Sequence, residues 1–267
     1  MGILNVNDDS FYAGSRVAGT DAAVSAAIAM VRDGADIIDI GAESTRPGSK
    51  GLSQDEEMES LIPVVSEVRQ VLPAVPISVD TRKALVAREV LAHGADIIND
   101  VSGLGLPEEA ENMKRIIAES GAAYVLTHTK GTPENMQIAP HYDDFLADLA
   151  FFFEDGIAGL AAAGIARDRI IADPGVGFGK RLADNLDIMA NLNEMRSFGL
   201  PVLIGVSRKG FIGRMLGLPD PAERLEGTLA ISVICAYNGV EIIRVHDVLQ
   251  NRRAVDMADA IRRRVHE

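Results

Sequence analysis

The chain has no tryptophan, one cysteine, five histidines and 4% aromatic residues in a length of 267. With so few rings, its core has to be assembled from Ile, Val, Leu and Ala, the branched and small residues that fill the layers of a parallel barrel. The single Cys235, set in the apolar run LAISVICAYNG, excludes an internal disulfide framework and suits a reducing compartment; a buried core thiol is its simplest role. His93, His128, His141, His246 and His266 are scattered and show no zinc-site spacing. Positive charge is scarce too, since 26 Lys and Arg against 39 Asp and Glu leave a formal charge of −13. That balance disfavours a nucleic-acid partner but allows a small anionic ligand held by a few placed cations. No apolar run reaches the ~18 residues of a membrane span, and no basic leader opens the chain. A cytoplasmic protein without membrane contact is therefore expected.

What the chain has in quantity is one repeated unit. Eight times an apolar, β-branched stretch runs into a polar residue, at Asn5, Asp39, Asp80, Asn99, His128, Asp173, Lys209 and His246, and helix-like sequence follows each. Strands apolar on both faces belong in a parallel sheet covered by helices, and eight βα units predict an α/β protein with a (β/α)8 TIM-barrel fold. The length is close to the roughly 250 residues of one such barrel, so residues 1–267 read as a single domain. Thr20 or Asp21 is expected to cap the first helix and Gly34 to close it. The phrase Gly-Ala-Asp-Ile-Ile occurs at 34–38 and again at 94–98, at corresponding helix-to-strand joints. Long polar connections after strands one, two and five leave the same mouth and are candidate lids.

In a barrel the carboxyl ends of all strands converge. Asp80, Asn99 and Asp173 would there read the edge of an aminopyrimidinone ring, because a carboxylate accepts two parallel N–H bonds and Asn both donates and accepts. Lys209 adds a cation for a carbonyl or ring nitrogen. A second set, Asn5, Arg46, Arg244 and His246, is suited to a diphosphate, with Arg forking onto phosphate oxygens. Asn5 also offers a neutral oxygen to Mg²⁺, which keeps several waters and bridges phosphates. The stretch DPGVGFGK is no ATP loop, since Pro174 takes the first glycine position and Arg181 follows Lys180. Its glycines instead let backbone approach a flat ring, with Phe178 as a stacking partner.

In order along the chain, MGILNV and DSF, IDIGAESTRPGS, ISVDT, IINDVSG, THTKGTPENMQ, ADPGVGFGK, GVSRKGFIG and RVHDV resemble the bacterial dihydropteroate synthases. The resemblance covers essentially the whole chain. It implies condensation of 6-hydroxymethyl-7,8-dihydropterin diphosphate with p-aminobenzoate in folate synthesis, a Mg²⁺ cofactor and a homodimer. It places Asp80, Asn99, Asp173, Lys209 and Phe178 around the pterin. Asn5, Arg46, Arg244 and His246 fall at the diphosphate, with Mg²⁺ at Asn5 and Asp39. Thr45, Pro47, Ser207, Phe11 and Phe178 border the aminobenzoate. Asp80, Lys209, Asp9 and Arg46 are expected to carry catalysis, with Asp80 or Asp9 stabilising positive charge on the substrate methylene in an SN1-like step. The chain departs from the family pattern at Asn7-Asp8, where Thr-Pro is usual, and at THTKG, where His-Met is more frequent. A pterin-binding methyltransferase and a non-catalytic pterin-binding paralogue are the alternatives. The ESTRP, SRK and RVHD strings disfavour the first, and retention of the anion ligands and Lys209 disfavours the second.

Overall fold

The computed structural model describes residues 1–6, 16–43, 51–131, 136 and 138–265. Within them strands and helices alternate: β1 (Gly2–Asn5), α1 (Arg16–Arg32), β2 (Ile38–Gly41), α2 (Gln54–Val71), β3 (Ile77–Asp80), α3 (Ala84–Ala92), β4 (Ile97–Asp100), α4 (Pro107–Ser120), β5 (Ala123–Thr127) and α5 (Phe145–Ala162). There follow β6 (Ile170–Asp173), α6 (Leu182–Ala190), α7 (Leu192–Ser197), β7 (Leu203–Gly205), α8 (Gly210–Leu216), α9 (Leu225–Tyr237), β8 (Ile242–Arg244) and α10 (Val248–Val265). Strands β1 to β6 form one parallel sheet in chain order, and β7 pairs with β8. Single parallel bridges, Ala172 with Val202 and Gly2 with Val245, join the two pieces into a ring. Backbone bonds from Ala172 N to Pro201 O, from Ile3 N to Val245 O and from Val245 N to Met1 O, each 2.9 Å, hold these joints. The fold is the expected (β/α)8 TIM barrel.

Two separate apolar clusters follow from the alternation of side chains along a strand. Ile97, Val125, Ile171 and Leu203 fill the barrel interior, with Ile37, Ala123 and Ile242 against them. Ile38, Ile40, Val79, Ile98 and Leu126 face outward and pack on helix residues such as Leu61, Val65, Val86 and Phe153. The residues two places beyond the interior plug keep its phase. They are Asn99, Thr127, Asp173, Gly205 and Arg244, and they stand as a polar storey on an apolar floor.

The floor end is wired by one repeated device. Gly94 turns the chain in the left-handed region at φ 109°; Arg69 of α2 donates to its carbonyl from Nε at 3.0 Å and from Nη2 at 2.7 Å, and also bonds Asp96. Asp96 in turn accepts the Ile77 N–H at 2.8 Å. At the equivalent joint Gly34 has φ 103°, and Arg252 of α10 reaches its carbonyl at 3.4 Å and Asp36 at 3.2 Å. A third copy, unrecognised in the sequence because Val-Glu replaces Ala-Asp, is Gly239 with Glu241, which accepts the Val202 N–H at 2.9 Å and lies 3.7 Å from Arg196.

Some boundaries differ from the sequence expectation. Helix α1 begins at Arg16, so Thr20 and Asp21 lie within it, while Gly34 does close it. The helical run after β6 breaks at Asn191 into α6 and α7. Strand β7 ends at Gly205 and β8 at Arg244, short of Lys209 and His246, and beyond β7 Arg208 adopts φ 57°. No helix among the described residues is long and apolar enough to cross a membrane.

Candidate active site

Directly above the apolar floor lies a charged cluster centred on Arg244. Its Nε donates to Asp39 Oδ2 at 2.6 Å and its Nη2 to Asp80 Oδ2 at 3.2 Å. Asp39 is wholly buried, and its Oδ1 accepts from Ser78 Oγ at 2.5 Å and weakly from Asn99 Nδ2 at 3.4 Å. Both of its oxygens thus accept hydrogen bonds within the protein, and Asp39 anchors Arg244. Burial raises the pKa of Asp80; Arg244 opposes the shift and the charges of Asp39 and Glu57 reinforce it. Gly41 leaves room beside it, since a Cβ there would stand 3.2 Å from that of Asp80, tighter than an ordinary contact.

Asp173, at the end of β6, accepts the Gly175 N–H at 2.7 Å. Burial raises its pKa against the pull of Lys209. The turn beyond it demands glycine, because at Gly175, φ 65°, an added Cβ would lie 2.0 Å from the His128 carbonyl oxygen. Lys209, just before α8, donates to Val176 O at 2.5 Å and sits 4.4 Å from the centre of the Phe178 ring. Burial lowers its pKa to about 8. The last two βα loops are latched together: Arg208 forks onto Asp247 with two bonds of 2.8 Å, and His246 N donates to Ser207 Oγ at 3.1 Å. Asn5 ends β1 in register with Gly41 and is exposed.

Four strand ends therefore bring Asp80, Asn99, Asp173 and Arg244 to one mouth, with Lys209 and Phe178 entering from adjoining loops. A cavity of about 210 Å³ opens between Asp80 and Phe178, lined also by Val101, Thr129 and Met136. Asn99 Oδ1 is buried with no hydrogen-bond partner, so one acceptor in the polar storey awaits a donor.

His128, expected among the polar strand ends, is out of phase with this storey. Its ring packs edge-on against Phe152 at 4.9 Å, and its Nδ1 lies 2.8 Å from Lys180 Nζ. Burial, with Lys180 and Lys130 nearby, pushes its pKa down to about 2. Lys180 itself is buried and donates to His128 O and Phe178 O, each at 3.0 Å. Its three acceptors match the three N–H donors of an ammonium group, and they tie the Phe178 loop to the end of β5. Sequence alone gave no sign of this, because Lys is ordinarily exposed. Buried Glu57 of α2 was also missed; it pairs with Lys83, which also reaches Glu43 at 2.6 Å.

A family model described as pterin binding enzyme matches residues 1–246. A dihydropteroate synthase of Escherichia coli is 45% identical over 260 residues, spanning 97% of this chain and 90% of the relative. The chain belongs to the dihydropteroate synthase family. A Yersinia pestis dihydropteroate synthase solved as a sulfonamide drug complex matches with a TM-score of 0.90 at 43% identity, over 98% of this chain and 93% of that one. A Xanthomonas albilineans dihydropteroate synthase solved in complex with 7,8-dihydropteroate matches with a TM-score of 0.86 at 36% identity, over 98% and 92%. Of the residues expected to serve a dihydropteroate synthase, Asp9, Phe11, Thr45, Arg46 and Pro47 lie outside the described residues, as do Asn7 and Asp8. Asp80, Asn99, Asp173, Lys209, Phe178, Arg244, His246, Ser207 and Asn5 all lie on or beside the carboxyl ends of the strands.

Proposed function

We propose that the chain is a dihydropteroate synthase: it joins 6-hydroxymethyl-7,8-dihydropterin diphosphate to p-aminobenzoate, releasing 7,8-dihydropteroate and diphosphate. The carbon–oxygen bond to the diphosphate breaks, the arylamine nitrogen bonds that carbon, and the amine proton leaves to solvent. The observation that carries the reading is the convergence of Asp80, Asn99, Asp173 and Lys209 on one mouth, with Asn99 Oδ1 unpartnered. Asp173 takes the ring N–H and an amino N–H side by side, Asn99 accepts a further N–H, Lys209 donates to the ring, and Phe178 stacks. Arg46, Arg244, His246 and Asn5 hold the diphosphate. Thr45, Pro47, Phe11 and Ser207 border the aminobenzoate, and this pocket is where a sulfonamide would compete.

An arylamine is neutral at pH 7 and needs no strong base. The chain's contribution is to hold the two substrates in line and to stabilise charge, positive on the methylene at Asp80 and Asp9 and negative on the departing diphosphate at the Arg and His groups. Among the described residues no group of three or more acidic, His or Cys ligands is gathered for a metal. Mg²⁺ nevertheless suits a site of this kind, which asks only for one protein oxygen, that of Asn5, with the rest supplied by substrate and water. When bound it would neutralise diphosphate charge.

Diphosphate release that requires both substrates, with dihydropteroate as product, is the expected result for the purified protein. Binding of the pterin without release would overturn the reading. A pH dependence follows from Asp80 and Lys209. Asp80, with its pKa raised to about 8, gains its charge as pH rises through that value, and Lys209, with its pKa lowered to about 8, loses its own, so kcat/KM for the pterin substrate is expected to climb toward pH 8 and to show a falling limb above it. In Lys209→Met that limb should disappear along with most of the activity.

A homodimer through α9 and α10 completes the proposal. Val233, Ile234, Tyr237, Met257 and Ile261 expose large apolar groups on these two packed helices. Ile234→Glu is expected to halve the mass seen by light scattering; an unchanged mass would place the interface elsewhere. Cys235, buried and with its thiol pushed up to about 12, suits a cytoplasmic setting.

A further inference from the structure

Among the described residues, Thr127 Oγ1 is one of four buried side-chain polar atoms without a hydrogen-bond partner. Thr127 ends β5, shares its face with the interior residue Val125, and pairs in register with Asp173. Its methyl lies toward the β6 turn, where a Cβ on Gly175 would come 3.3 Å from Thr127 Cγ2. The strand on its other side is β4, which supplies the equally unpartnered Asn99 Oδ1. Two orphaned polar atoms on adjacent strands, in the same storey and beside a buried carboxylate, describe one continuous edge. A hydroxyl in such a place is costly unless something arrives to bond it.

We infer that Thr127 is a specificity-determining residue of the pterin site, its hydroxyl accepting from the exocyclic amino group of the ring. That group has two N–H bonds. Asp173 takes one of them together with the ring N–H, as a carboxylate does. The second N–H points away from Asp173 and needs a neutral acceptor on the β5 side, which Thr127 Oγ1 supplies. The inference rests on the pterin reading above and goes beyond it in assigning a residue that the sequence reading passed over in favour of its neighbour His128. Because the hydroxyl is retained at a cost to the empty protein, its removal should help folding and harm recognition.

Thr127→Val keeps the branched shape and loses the hydroxyl, and Thr127→Ser keeps the hydroxyl. The test is calorimetric binding of 6-hydroxymethylpterin, and of the same ring without its amino group, to the full chain of each variant. The loss of one hydrogen bond predicts that Thr127→Val binds the amino-bearing ring about five- to tenfold more weakly. It should bind the ring without the amino group as the wild type does. Thr127→Ser should stay within about twofold of wild type on both rings, and Thr127→Val should melt at or above the wild-type temperature. Equal binding of the amino-bearing ring by Thr127→Val and wild type would overturn the inference, as would equal weakening on both rings. Failure of the wild type to bind either ring would instead sink the pterin reading itself, and this inference with it.

Discussion

Arg244→Met is expected to cost the protein about 3–5 kcal/mol of stability, the usual penalty for stranding a buried charge. The side chain spans from β8 to Asp39 on β2 and Asp80 on β3, at 2.6 and 3.2 Å, and Asp39 has no exposure to water. Without the guanidinium two carboxylates share a dry space, and at least one must take up a proton. Against the ~5–15 kcal/mol that a whole domain commonly possesses, this is a large fraction. Urea unfolding measures it, with the midpoint falling and the slope unchanged. A loss under about 1 kcal/mol would mean that the cluster is already neutral and that Arg244 adds no net stability. The double variant Arg244→Met with Asp39→Asn should recover part of the loss, because it removes the stranded charge as well as its partner. Synthase activity should vanish in both.

Asp80→Asn is the second large effect, and it should fall on rate rather than binding. Burial raises the pKa of this carboxyl while Arg244 works against the shift, so its negative charge gains most when positive charge builds up next to it. If that charge develops on the substrate methylene as diphosphate departs, the carboxylate stabilises the transition state more than the bound substrate. The amide is nearly isosteric and still accepts from Arg244. A drop in kcat of about 100- to 1,000-fold is expected, the scale of losing one preorganised electrostatic contact, with the affinity for dihydropterin diphosphate within a few-fold of wild type. Parallel losses in rate and affinity would mean that Asp80 serves mainly to bind the ring.

The architecture was legible because every strand repeats one statement: apolar on both faces, then polar at its carboxyl end. The residues at β3, β4 and β6 could be read off directly, since Asn99 and Asp173 fall in phase with Ile97 and Ile171 of the interior and Asp80 with the inward Ser78. Phase is also where the reading failed. At β5 a histidine attracted attention that the neighbouring Thr127 merited, because residue type outweighed the two-residue alternation. At β7 the apolar run gives no notice that Arg208 leaves the sheet in a left-handed turn, so Lys209 arrives from a loop. Lys180 defied the ordinary placement of lysine, and only the three acceptors around it explain its burial.

The ring of eight strands is unevenly joined. Six strands are laced by full ladders, while β7 and β8 meet their neighbours through single bridges. The barrel is thus a six-strand arc closed by a two-strand insert. That insert carries Arg244 and leads into the loops of Ser207, Lys209 and His246, whereas the arc holds Asp80, Asn99 and Asp173. In the proposed reaction the grip on the leaving diphosphate and much of the grip on the ring would thus come from different parts of the barrel. Arg244, reaching over β1 to β2 and β3, is the rivet that fastens one to the other.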